Sequence, residues 1–166
     1  MTKNVFAWLI ELSQQETLPA RLADIRDDQM TAQPIEGMNH PAWILGHLLA
    51  LEHRVINDVL GLPLNLRLDN NWWGMYGIGS IPMNDRNTYK TKAFYMAGLA
   101  ETSTRMISYL HYATGAQLEA SVTDPLFMKI MPTIAYAFGA AANHRAYHTG
   151  QLAIWRKAMG VPHAGI

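Results

Sequence analysis

The sequence has no cysteine. That excludes disulfides, thiolate nucleophiles and cysteine-based zinc sites, and leaves His, Asp, Glu or water to hold any metal. It also lacks net charge, since 13 Lys and Arg balance 13 Asp and Glu. Without an excess of basic residues there is no electrostatic case for nucleic acid or an anionic membrane as a partner. Long apolar runs are missing too, and none reaches the roughly 20 residues that span a bilayer. The N-terminal run "VFAWLIEL" is short, is broken by Glu11, and has neither a basic flank nor a small-residue cleavage site. It reads as a helix rather than a signal peptide, and a cytoplasmic protein is expected. What is present is 166 residues, 49% of them hydrophobic, enough for a single domain over 1–166 with a true core.

Four helical segments follow from the apolar spacing, and no strands. The first runs from Lys3 to Arg26, with Pro19 expected to kink it. The second begins at "NHPAW", where Pro41 suits a first turn and Asn39 or His40 a cap, and stops at Gly61 and Pro63. The third spans Tyr89 to Thr114 and the fourth Met131 to Met159, ended by Gly160 and Pro162. Asp124 and Pro125, between these two, read as turn chemistry. Four long helices in a small chain predict an all-α fold, a four-helix bundle. Residues 61–88 have no helical period and form a long crossover loop between helices two and three. They are rich in Gly, Pro and Asn yet hold Trp72, Trp73 and Tyr76. A loop of that length in a compact domain is usually functional or disordered, and its aromatics argue against disorder.

Chemistry concentrates in "ANHRAYHTGQ". His144 and His148 are four apart, so a helix stacks them on one face. They fall on the stripe of Ala137, Ala141, Leu152 and Trp155, which is expected to face the core, and core histidines need partners. His47 falls on the apolar stripe of helix two, between Ile44 and Leu51. Three core-facing histidines on two helices point to one divalent ion, with zinc, nickel, copper and iron all accepting neutral imidazole. Three protein nitrogens with an open position are a catalytic pattern, whereas structural zinc sites are usually closed by four ligands. Matching levels for His47 and His148 require helices two and four to be antiparallel. Gly46 and Gly150 lie beside the expected ligands, and each suggests tight backbone packing that lets two helices approach near the ion, or contact with another side chain. A zincin would need Glu after the first histidine of the pair, and Arg145 stands there instead.

"NHPAWILGHLLALEHRV" together with "NHRAYHTGQLAIWRKAMG" resembles the DinB-like superfamily, which includes the YfiT-type metal proteins. The resemblance implies a bundle of up-down-down-up topology and a metal triad of His47, His144 and His148. Many relatives carry an acidic residue where this chain has Arg145. The topology implied would carry residues 61–88 back along the bundle to the end where helix two begins. That would bring Trp72, Trp73 or Tyr76 to the metal as a pocket wall, or leave them covering a crossover. Gln151 could orient a ligand from behind. His53, His111 and His163 show no partner pattern and are expected at the surface.

Two functions follow as expectations. In one, the chain is a metal-dependent enzyme with zinc, nickel or iron, acting on a small molecule. The resemblance implies transfer to or from a low-molecular-weight thiol such as bacillithiol, mycothiol or glutathione, and hydrolysis is the nearest variant. In the other, it is a non-catalytic metal- or ligand-binding module, a homodimer whose ion is structural. A fourth protein ligand would favour the second.

Overall fold

The computed structural model describes residues 2–162, so His163 lies outside it. The first helical run consists of α1 (Thr2–Leu12), a π-helical turn over Ser13–Thr17, and α2 (Leu18–Leu22). Proline has no N–H for the preceding turn, and the chain widens into the π turn just before Pro19. The run ends at Leu22, short of the Arg26 expected. The second run is α3 (Pro41–Arg54) followed by a π-helical turn over Val55–Val59. His40 is its N-cap, with Nδ1 accepting the Trp43 N–H at 3.1 Å.

Inside the crossover lies a short helix that the sequence pattern does not announce, α4 (Trp72–Tyr76). Next come α5 (Lys92–Tyr112), the single-turn α6 (Gly115–Glu119) and α7 (Ile134–Ala158). The two long helices start three residues later than the periodicity suggests. Each waits for a threonine cap, Thr91 accepting from the Phe94 N–H and Thr133 from the Tyr136 N–H. Asp124 accepts from the Leu126 and Phe127 N–H groups, the turn chemistry expected of it. Among the described residues the only β pairing is an isolated antiparallel bridge between Ser121 and Thr133. No described helix is long and apolar enough to cross a membrane.

Bonded pairs between helices set the directions. Lys3 reaches the carbonyl of His111, while Ser103 donates to Gln14, so α1 and α5 are antiparallel. Trp43 lies against His148 and Glu52 against Arg145, which makes α3 and α7 antiparallel, as the histidine levels require. Leu49 sits at Gly98 and Glu52 at Thr102, so α3 and α5 run the same way. Joining two parallel helices obliges residues 61–88 to travel back along α3. They do so stepwise: the Leu66 carbonyl meets His53, the Trp72 indole N–H donates to the Gly46 carbonyl, and the Trp43 indole N–H donates to Ser80.

The core is two apolar clusters with a polar layer between them. One contains Leu18, Leu22, Leu48, Tyr95, Leu99, Leu152 and Trp155; the other contains Ile10, Val55, Met106, Phe138 and Ala141. In each long run, polar side chains occupy the level where the clusters meet. Arg145 donates to both Glu52 oxygens at 2.5 and 2.7 Å, to Ser103 at 2.8 Å and to Gln14 at 3.2 Å. Thr102 donates to the same carboxylate at 2.5 Å. Both charged side chains are essentially shut off from solvent, at 0% and 1% exposure.

Candidate metal centre

α3 and α7 bring the three histidines together. Their ligand atoms all lie within 4.8 Å of one another, a group that could hold a metal ion. The His144 Nε2 is 3.1 Å from the His47 Nε2 and 3.0 Å from the His148 Nε2. Two nitrogens bound at about 2.0–2.1 Å to one ion stand about 2.9 to 3.4 Å apart as the angle opens from a right angle to tetrahedral. The observed spacings fall in that interval.

Neighbouring groups set which ring nitrogen carries the proton. The His47 Nδ1 is 2.5 Å from the Tyr76 carbonyl, which can only accept, so the hydrogen is on Nδ1. The His148 Nδ1 is 2.9 Å from the Gln151 Oε1, an oxygen that also receives the Asn39 side-chain N–H at 3.2 Å. In both rings the Nε2 lone pair therefore faces inward. The His144 Nε2 faces both lone pairs, while its buried Nδ1 has no hydrogen-bond partner. A neutral His144 has one N–H and can satisfy at most one of them, so the donor set is short of a cation. The residues fit a divalent ion on this ground.

Electrostatics agree. Burial, then the neighbouring His148 and His47, pushes His144 down to about 3. Burial and His47 bring His148 to about 4, and burial lowers His47 as well. All three are neutral near pH 7, the form that coordinates. The Trp43 ring stacks on His47, with centroids 4.6 Å apart and planes 10° off parallel, and fixes its orientation.

One side of the group is open. A cleft of about 240 Å³ touches His47 and His144 and is walled by Trp73, Ile78, Ile130 and Tyr147. Among the described residues, no Asp, Glu or further His completes the group as a fourth ligand.

A model of the DinB superfamily matches residues 10–152. The chain belongs to the DinB superfamily. No curated protein matches its sequence. The crystal structure of a conserved protein from Enterococcus faecalis superposes with a TM-score of 0.71 at 17% identity, over 95% of this chain and 96% of that one. At that identity the likeness shows the shared DinB fold alone.

Within this DinB bundle the residues singled out from the sequence separate into groups. His47, His144 and His148 meet at one point, with Gln151 behind the His148 ring. Trp73 lies on the cleft wall, whereas Trp72 and Tyr76 are packed into the core at 4% and 1% exposure. Tyr76 meets the site through its backbone carbonyl. The close approach at Gly46 is between α3 and α4: a side chain there would collide with the Tyr76 ring, so it admits the crossover. Gly150 has open space around it and permits no close approach at all. His111 is exposed, but His53 is half-buried and bonded to the Leu66 carbonyl and Asn57.

The core stripe of α7 runs through Arg145, not His144, which sits at its edge and looks into the cleft. Sequence reading missed the Arg145–Glu52 pair. The signal was available: Glu52 follows Leu48 and Leu49 at helical spacing, and Arg145 follows Ala141. Opposite charges on two apolar stripes predict a buried pair. Ile78, Ile130 and Tyr147 left no such trace, because two remote loops and a helix face had to meet first.

Proposed function

We propose that the chain binds one divalent ion through His47, His144 and His148 and uses it on a small molecule held in the adjoining cleft, as a transferase-like or hydrolytic enzyme. The observation that carries this reading is the open side of the three-nitrogen group, which faces a walled cleft rather than a fourth protein ligand. An ion in such a setting polarises a bound substrate oxygen or activates a water or thiol near neutral pH. The protein's part is positional. Tyr76 and Gln151 hold the His47 and His148 rings with their Nε2 atoms inward, Trp43 blocks rotation of His47, and Trp73 excludes water from one flank.

Metal analysis of protein purified without a polyhistidine tag tests the proposal. One equivalent of metal per chain is expected, and His148→Ala should abolish it. A variant that keeps a full equivalent with unchanged affinity would place the ion elsewhere.

A further inference from the structure

The cleft beside the histidines has a composition that restricts its occupant. No Lys, Arg, Asp or Glu is among the described residues lining it. Its walls are Leu51, Trp73, Ile78, Ile130 and Met131, and its polar side chains apart from the histidines are Asn143 and Tyr147, both neutral. A cation does lie behind the wall, with the Arg54 guanidinium 4.7 Å over the Trp73 ring. It is neutralised there by Asp58 at 2.7 Å and Asp124 at 3.1 Å. The apolar surface continues outward. Ile78, Ile130 and Tyr147 at the mouth are 63%, 53% and 63% exposed. Large apolar side chains grouped around an opening, rather than scattered, mark a recognition surface.

From this geometry we infer that the cleft takes a small, uncharged, apolar molecule whose single polar head lies against His47 and His144. Size supports the assignment. At about 240 Å³ the cleft is smaller than the roughly 300–1,000 Å³ sites that enclose drug-sized ligands. Charge supports it too. A charged thiol such as glutathione brings carboxylates, and burying an unpaired carboxylate against Ile and Trp is strongly unfavourable. Asn143 and Tyr147 can hydrogen-bond a neutral head but cannot neutralise an anion. The inference rests on the functional reading above for the role of the head, while the tail preference depends only on the walls.

Calorimetric titration of the full chain, with its metal content measured beforehand, tests both parts separately. The straight-chain alcohols from 1-butanol to 1-octanol probe the walls, since they need no ion. Affinity should rise about fourfold per added methylene until the cleft is full. Octanohydroxamate against 1-octanol probes the head, and hexane-1-thiol against glutathione probes charge. Hexane-1-thiol should bind at least tenfold tighter than glutathione. Ile130→Asp, at a half-exposed position that folding tolerates, should flatten the alcohol series and leave metal content unchanged. An alcohol series independent of chain length, glutathione binding as tightly as hexane-1-thiol, or an unaltered series in Ile130→Asp would each overturn the inference. If octanohydroxamate gains nothing over 1-octanol while the alcohol series keeps its slope, the metal reading fails and the apolar cleft stands.

Discussion

Gly46 lies against the ring of Tyr76 so closely that a methyl group on it would overlap the ring. The next residue, His47, donates to the carbonyl of the same tyrosine. Shape and hydrogen bonding at consecutive positions therefore seat the crossover on α3 and aim a ligand together.

Gly46→Ala should disturb both. Forcing the buried ring aside is an overpacking change that costs about 1–3 kcal/mol. Moving the carbonyl from His47 should weaken metal binding about 10- to 100-fold. Gly150→Ala is the control, because Gly150 faces open space in the middle of a helix. It should stabilise the chain by up to about 1 kcal/mol with metal affinity unchanged. Thermal melts and metal titrations of the two variants give the comparison.

Gln151→Ala should lower metal affinity by a similar 10- to 100-fold, since the His148 Nδ1–H loses its acceptor. Competition with a chelator measures this. Equal affinity in wild type and variant would mean that the His148 ring is held by packing alone.

Trp72 and Trp73 are neighbours with opposite consequences. Trp72 is buried, so Trp72→Ala should cost about 3–5 kcal/mol of stability. Trp73→Ala should leave stability and metal content much closer to wild type and weaken binding of 1-octanol. Denaturant unfolding and calorimetry on both variants separate the two roles.

The Arg145–Glu52 pair predicts strong non-additivity. Arg145→Met alone strands a buried carboxylate and should cost about 3–5 kcal/mol. Combining it with Glu52→Leu should return most of that loss, because an apolar pair avoids the desolvation cost of both charges. A double variant as unstable as the sum of the two single ones would show that the two side chains are not coupled.

His40 gives the fold an acid limit. It is wholly buried, with Nδ1 accepting from Trp43 and Nε2 directed at the Met83 carbonyl, and burial holds it at about 4. The unfolded chain takes up this proton near pH 6.5 and the folded one only near 4. The contribution is therefore complete above pH 6.5, shrinks as pH falls between those values, and amounts to about 3 kcal/mol. Urea unfolding at pH 7, 6 and 5 should show the decline, and His40→Asn, which keeps a capping side chain, should reduce its slope.

Helix positions, the His40 cap with Pro41 in the first turn, and the three-histidine group were legible because each rests on spacing within a helical segment. The threonine caps moved two helix starts by a turn, since a cap outweighs the apolar period at a terminus. The roles of Trp72 and Trp73 were not separable in sequence. Adjacent residues on a helix point about 100° apart, and nothing local tells which of the two faces the core. Gly46 and Gly150 looked alike for the same reason, and only Gly46 has a ring against it.

The layer of Gln14, Glu52, Ser103 and Arg145 also restricts motion along the bundle axis. Apolar side chains tolerate sliding, since one greasy contact replaces another. A one-turn slip of α7 would shift it by about 5.4 Å. That would pull the guanidinium of Arg145 off Glu52 and leave both charges among leucines. Because Arg145 occupies the residue next to His144, the same latch that forbids the slip fixes the height at which His144 and His148 arrive opposite His47.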